Sequence, residues 1–529
     1  MRNTVLQKFF FALALFAGLV HAAPTPQVIN IGNGGEPKDL DPHIVTGIPE
    51  FHILHNLFEP LVGKDPKTLA PIPGVAESWK MSKDGKTYTF KLRKNAKWSN
   101  GEAVTAKDFV YSWTRLITPA TAAEYAQQGF YFVNGKEFNQ GKLKDASNLG
   151  FKAINDYTIE VKLVNPTPFF LSLLYHHSMY PVHKATVEKF GAKWTRPENI
   201  VTNGAFMLSK WEMNKIVSLK PNPNYWDKDN VSLTEANFLP IENHDTEEKM
   251  FRAGDVHITE DIPLPKIPTW QADKTGVYHQ EPFLGTYFYW INVTKPPLNN
   301  KLVRKALALG FDREKIVKFV TRGGQLPGTM FTPPGTGGFQ PKAQMPSNDS
   351  RVKEAKELLA KAGFPEGKGL EPIEILYNTH DGHKKIAEAL QQMWKQNLGI
   401  EVKLFNQEWK VYLDSQRTKN FQLSRAGWIG DYNDPNTFLD MFQSETELNH
   451  SGYKNLAYDK LIADAAKELN AKKRLAIFQK AEDMLLEDLP VLPIYIYTRV
   501  YLISPAVQGW HPNVEDIHPL KYVSMAPKS

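Results

Sequence analysis

Arg425-Ala426-Gly427-Trp428-Ile429-Gly430-Asp431-Tyr432-Asn433-Asp434-Pro435 holds the residues best placed for chemistry. An apolar, strand-like stretch gives way to two glycines flanking a tryptophan, then to a carboxylate and turn residues. Gly427 and Gly430 would let a ligand approach the backbone, Trp428 offers an aromatic wall, and Asp431 a nearby negative charge. That combination suits a binding role. The same pattern also fits an ordinary strand-to-loop corner. A second stretch, Leu284-Gly285-Thr286-Tyr287-Phe288-Tyr289-Trp290-Ile291-Asn292, reads as an aromatic strand, or simply as a buried core strand.

The usual catalytic signatures are missing from the sequence. It has no Gly-x-Ser-x-Gly elbow and no Gly-x-x-x-x-Gly-Lys-Ser/Thr phosphate loop. Gly335-Thr336-Gly337-Gly338 has Gln340 where a dinucleotide fingerprint needs its third glycine, so it reads as a loop. His52-Ile53-Leu54-His55 lacks a zincin glutamate. His176 and His177 are adjacent, and adjacent side chains diverge on a strand or a helix. Carboxylate pairs such as Glu247-Glu248, or Asp431 with Asp434, are more simply solvated or turn residues than an acid and base.

The elements that must position these residues are mostly short. Residues 80–94 read as a hairpin turning at Lys83-Asp84-Gly85, and Thr105-Ala106-Lys107-Asp108 as a capping box opening a helix. Ile154 to Leu163 alternates as one strand. Val352 to Ala362 has helical spacing and stops at Gly363. Ile373, Ile375 and Tyr377 form a strand, Ile386 to Leu398 an amphipathic helix closed by Gly399, and Ile400 to Leu404 a second strand. That order is a βαβ unit. A helical region from about Asp459 to Leu489 breaks near Asn470 and leads into a strand at 490–497.

Composition narrows the class. The chain has 529 residues, enough for several domains, and 12% aromatics, and its net charge of +6 is too small to demand a nucleic-acid partner. With no cysteine there is no disulfide, thiolate metal site or thiol nucleophile. Arg2 and Lys8 precede an apolar run from Phe9 to Val20, and Val20-His21-Ala22 suits a cut after Ala22. That run would span only about 18 Å, so it reads as a secretory signal peptide over 1–22 rather than an anchor.

Spaced motifs over nearly the whole mature chain resemble the periplasmic oligopeptide-binding proteins of ABC importers and the murein-peptide binders close to them. They include Glu36-Pro37-Lys38-Asp39-Leu40-Asp41-Pro42, Ala76-Glu77-Ser78-Trp79, Tyr88-Thr89-Phe90-Lys91-Leu92-Arg93 and Trp98-Ser99-Asn100-Gly101. Leu284-Gly285-Thr286-Tyr287, Tyr377-Asn378-Thr379, Asn406-Gln407-Glu408-Trp409-Lys410 and Asp431-Tyr432-Asn433-Asp434-Pro435 continue the series. The resemblance implies an α/β, two-lobed periplasmic binding fold of the large peptide-binding type with an additional inserted domain. Its implied division is one lobe from 23–58, 182–283 and 490–529, an inserted domain at 59–181, and a second lobe at 284–489.

The resemblance also implies function. Peptides would lie extended, bound mainly through main-chain hydrogen bonds, and pass to an inner-membrane ABC permease. Asp431 matches the acid that holds the peptide amine. Gly427, Trp428 and Ile429 match the ligand-pairing strand, Tyr287 lies in a family motif, and Ile48 matches an opposing strand. Arg425 and His383 match cations that meet the peptide carboxylate. A further family arginine falls at Gln416, with Arg417 one place on, and another cationic position falls at Thr321, beside Arg322. A family glutamate becomes Thr46. The better-known relatives carry a disulfide at Gly285 and Ile429; the murein-peptide binder lacks it, which keeps murein tripeptide open as the ligand. The expectation is a periplasmic monomer without cofactor, metal or catalysis. A haem or metal carrier and a secreted hydrolase are the other classes weighed.

Overall fold

A computed structural model describes residues 26–342 and 350–526, so the expected signal peptide lies outside the described residues. The secondary structure follows local sequence closely. Thr105 and Asp108 form the capping box of the helix Ala106–Ile117, whose buried face carries Phe109, Trp113 and Leu116. The strands Ala76–Met81 and Thr87–Leu92 pair antiparallel around Gly85, at φ 70°. The expected single strand at 154–163 is instead two, Phe151–Asn155 and Thr158–Lys162, paired as a hairpin. Alternation of side chains continues across Asp156 and Tyr157, which hides the turn. In the later half, Asn470 caps the helix Ala471–Asp488 and separates it from Leu456–Ala465.

Three sheets organise the molecule. One has the order Val28–Gly32, Glu235–Leu239, Ile216–Pro221, Phe206–Glu212. A second, built from the four strands between Ala76 and Lys162, falls in sequence between members of the first and is therefore an insertion. The third has six strands, in the order Leu326–Pro327, Val491–Leu502, Tyr278–Ile291, Leu423–Ile429, Ile373–Asn378, Val402–Gln407. Its Ile373–Asn378 and Val402–Gln407 strands are parallel, joined by the helix Asp381–Leu398, as the βαβ pattern predicts.

Apolar burial divides into two large cores. One joins the first lobe and the insertion, around Ile29, Leu57, Phe90, Trp113 and Phe206. The other fills the second lobe, around Phe288, Ile375, Trp394 and Leu485. Two long antiparallel strands, Tyr278–Ile291 and Val491–Leu502, run between them, with a register shift between Pro282 and Thr286. Two aromatics cross the divide. Tyr432, from the second lobe, stacks on Phe169 of the insertion at 4.2 Å between centroids, and Tyr125 of the insertion joins the second core.

Candidate functional site

The strand Leu423–Ile429 is paired on both sides only at its start. Leu423 and Ser424 meet Ile375 and Leu376, while the whole strand meets 285–291 on the other side. Beyond Ser424 one edge is left without a strand. The Arg425 carbonyl points to that edge and accepts from Gln416 Nε2 at 2.9 Å and from the Tyr412 hydroxyl. Strand period two then aims the N–H and C=O of Gly427 and Ile429 the same way. Gly430, on the opposite parity, donates its N–H to Leu284 O at 2.8 Å. The open edge faces a cleft between the lobes, and Gly427 is exposed to it.

Two adjoining cavities make up this cleft, of about 1140 and about 1470 Å³ including solvent. Both are lined by Thr46, Ile48, Arg425, Gly427 and Ile429, so they form one continuous channel along the open edge. Asp431 and Trp428 line the first, and His383, Asn378 and Tyr497 the second. A Cβ at Gly427 would sit 2.5 Å from the Tyr497 hydroxyl, so glycine there lets the phenol lie against the backbone. Gly285 stands directly opposite Ile429 in register, and a Cβ on it would meet Ile429 Cδ1 at 2.4 Å. The isoleucine thus fills that position by packing alone.

At one end of the channel Asp431 is nearly buried and takes partners from the insertion. Its Oδ2 accepts from Gln128 Nε2 at 3.1 Å, and its Oδ1 lies 3.3 Å from His176 Nε2. Tyr125 packs against His176, with ring centroids 4.4 Å apart, and faces Trp428 at 6.2 Å. Burial first, then the Asp431 charge, raises the Tyr125 pKa well above its ordinary value, so it stays a neutral phenol. Glu124 and Glu515 line the same cavity; Glu515 is paired with the buried Lys64, and Glu124 lies 3.9 Å from His450. This end is acidic.

The other end centres on Arg425. Its Nη2 donates to the Tyr497 hydroxyl at 2.9 Å and Nη1 to Asn378 Oδ1 at 3.3 Å, while the guanidinium lies 4.7 Å over the Tyr287 ring. Its Nε is buried without a partner. Among the described residues no carboxylate lies within ion-pair distance of it, an arrangement that suits an incoming anion.

The structure corrects several sequence expectations. Ile48 lines the channel but is the first residue of the helix Ile48–Leu57, not part of a strand, because Pro49 suits a first helical turn. Arg417 ends the helix Trp409–Arg417 and is half exposed, 3.7 Å from Asp414, outside the channel lining. His383 does line the channel, but burial first, and then the Arg425 charge, holds its pKa well below the usual histidine value. It is a neutral ring whose Nδ1 is 3.3 Å from the Tyr287 hydroxyl. Gln416 spends its amide on Tyr412, Ser424 and Arg425. Asp434 forms a two-point pair with Arg474, which removes it as an acid–base partner of Asp431. The site residues that sequence reasoning missed are Gln128, Tyr125 and Tyr497. His176 was visible only as half of a histidine pair. Among the described residues, one group could hold a metal ion: His244, Asp261 and His380.

Residues 70–450 match the family model described as bacterial extracellular solute-binding proteins, family 5 middle. The periplasmic oligopeptide-binding protein OppA of Escherichia coli is 43% identical over 512 residues, covering 94% of each chain. The periplasmic murein peptide-binding protein MppA of the same organism is 40% identical over 492 residues, covering 91% of this chain and 90% of its own. The solved structure of that murein tripeptide-binding protein superposes with a TM-score of 0.92, at 39% identity, over 95% of this chain and 99% of the other. Haemophilus influenzae OppA in complex with RPPGFSPFR gives 0.91, at 38% identity and the same coverage. Against an unliganded open form of MppA the score falls to 0.65, at 39% identity, over 95% of this chain and 98% of that one. The lobes described here therefore stand in the closed arrangement.

Proposed function

The chain belongs to the family 5 bacterial extracellular solute-binding proteins, and we propose that it captures short peptides in extended form and delivers them to an inner-membrane ABC permease. The observation that carries this reading is the open strand edge at Gly427 and Ile429, enclosed between two lobes and flanked by one acid and one unpaired cation. An extended peptide adds a strand there, so its backbone supplies affinity whatever its side chains are. Asp431 holds the peptide amine, Arg425 its carboxylate, and Trp428 walls the path. Tyr287, expected to meet the ligand, is instead buried behind the Arg425 guanidinium and outside the channel lining. Six residue steps separate Arg425 from Asp431. At ~3.3 Å per step that is about 20 Å, less the reach of both side chains, which suits about three to five residues.

In this reading the protein is a non-catalytic periplasmic monomer, cut after about Ala22, that closes on its ligand and needs no cofactor. Its lobes are 23–58 with 182–283 and 490–529, and 284–489, with 59–181 inserted. Native mass spectrometry of protein taken from its own periplasm tests the reading. Copurified short peptides with free amines are expected, and a co-purified ligand that is not a peptide would contradict it. Diaminopimelate in the ligand would identify murein tripeptide as the preferred peptide.

A further inference from the structure

Beside the carboxylate end of the channel, three side chains converge that peptide capture does not use. His244 begins the helix His244–Ala253, is 2% exposed, and its Nε2 is buried without a partner. Asp261 comes from the same side of the cleft; one carboxylate oxygen accepts from Ile262 N at 2.7 Å. His380 comes from the opposite lobe, where it caps the helix Asp381–Leu398. Its ring meets His244 edge-on at 4.4 Å and stacks on His383 at 3.9 Å. One donor atom from each of His244, Asp261 and His380 lies within 4.8 Å of the others.

We propose that His244, Asp261 and His380 form a site for a divalent transition metal, such as zinc, that bridges the two lobes of the closed protein. Two imidazoles and a carboxylate are a donor set for borderline cations rather than for magnesium or calcium. Donors ~2.1 Å from one zinc stand about 3.4 Å apart in a tetrahedron, so shifts of about 1 Å close the set. His380 Nδ1 already accepts from Gly382 and His383 N–H at 3.1 and 3.3 Å. A metal at Nε2 therefore moves the ring proton to Nδ1 and gives up those two long contacts, a cost set against two metal bonds across the cleft. Asp261 and His380 also line the channel, which leaves the fourth position to water or to a donor on the bound ligand.

Calorimetric titration of the chelator-treated mature protein with zinc chloride tests the site. One equivalent should bind. His244→Gln should weaken it at least tenfold, as should His380→Asn, which keeps a capping side chain. Asp431→Ala should leave zinc affinity unchanged, so the metal site stands or falls separately from peptide capture. Zinc alone should also shrink the radius of gyration in solution scattering. Absence of stoichiometric binding, or binding indifferent to both histidine substitutions, would overturn the site; zinc binding without compaction would overturn the bridge.

Discussion

The two ends of the channel are built differently. The Arg425 end is assembled within one sheet and its flanking strands: Asn378, Tyr287 and Tyr497 all contact the guanidinium. The Asp431 end is assembled between lobes, because Gln128 and His176 come from the insertion. One end is therefore built inside a single sheet, and the other needs both sides of the cleft together, so a ligand anchored at Arg425 would complete its contacts at Asp431 only when the cleft closes. The solved structure of an unliganded open form of MppA superposes less well than the other solved structure of that protein, 0.65 against 0.92.

Removing the closure-dependent anchor should have the largest effect. Asp431→Ala should weaken a free-amine peptide at least about a hundredfold by calorimetry, since breaking a buried charge pair costs roughly 3–5 kcal/mol. Arg425→Met should cost about thirtyfold and should abolish any preference for a free over an amidated C-terminus. Closure itself should survive, as scattering of the loaded variant would show. Gly427→Ala forces a methyl onto the Tyr497 hydroxyl, 2.5 Å away, and should weaken binding about tenfold. Adding Tyr497→Phe should restore part of that loss if the clash is the cause. Gln128→Ala should cost only severalfold, and only for peptides with a free amine.

The smallest effect is on pH dependence at the Asp431 end. Burial first, then Lys419 and Arg417, lowers the His450 pKa to about 4, from about 6.5 for an ordinary histidine. The unfolded chain then binds a proton that the native site refuses. The stability contributed by this group is complete above about 6.5 and is lost as the pH falls towards 4. His450→Gln should flatten the melting-temperature profile in that window.

Sequence made the open strand legible because its signals are local. The glycines flanking Trp428 and Asp431 fall within one short stretch, 427–431, and the βαβ pattern is read from another continuous stretch, 373–404. What stayed hidden is long-range. Gln128 and Asp431 are 303 residues apart, and no spacing rule joins them. His383 could be placed but not given a charge, since its neutrality depends on burial beside Arg425. The resemblance places Ile48 on a strand, but the adjacent Pro49 favours the first turn of a helix. The turn at Asp156 was lost because alternation on both sides stayed in phase.

The central claim is that Asp431 holds a peptide amine in a site completed by lobe closure. Calorimetry of one tetrapeptide, free and N-acetylated, against the wild-type protein and Asp431→Asn tests it most directly. Acetylation should weaken wild-type binding at least about a hundredfold and should make little difference to the variant. Equal affinities of the two peptides for the wild-type protein would contradict it.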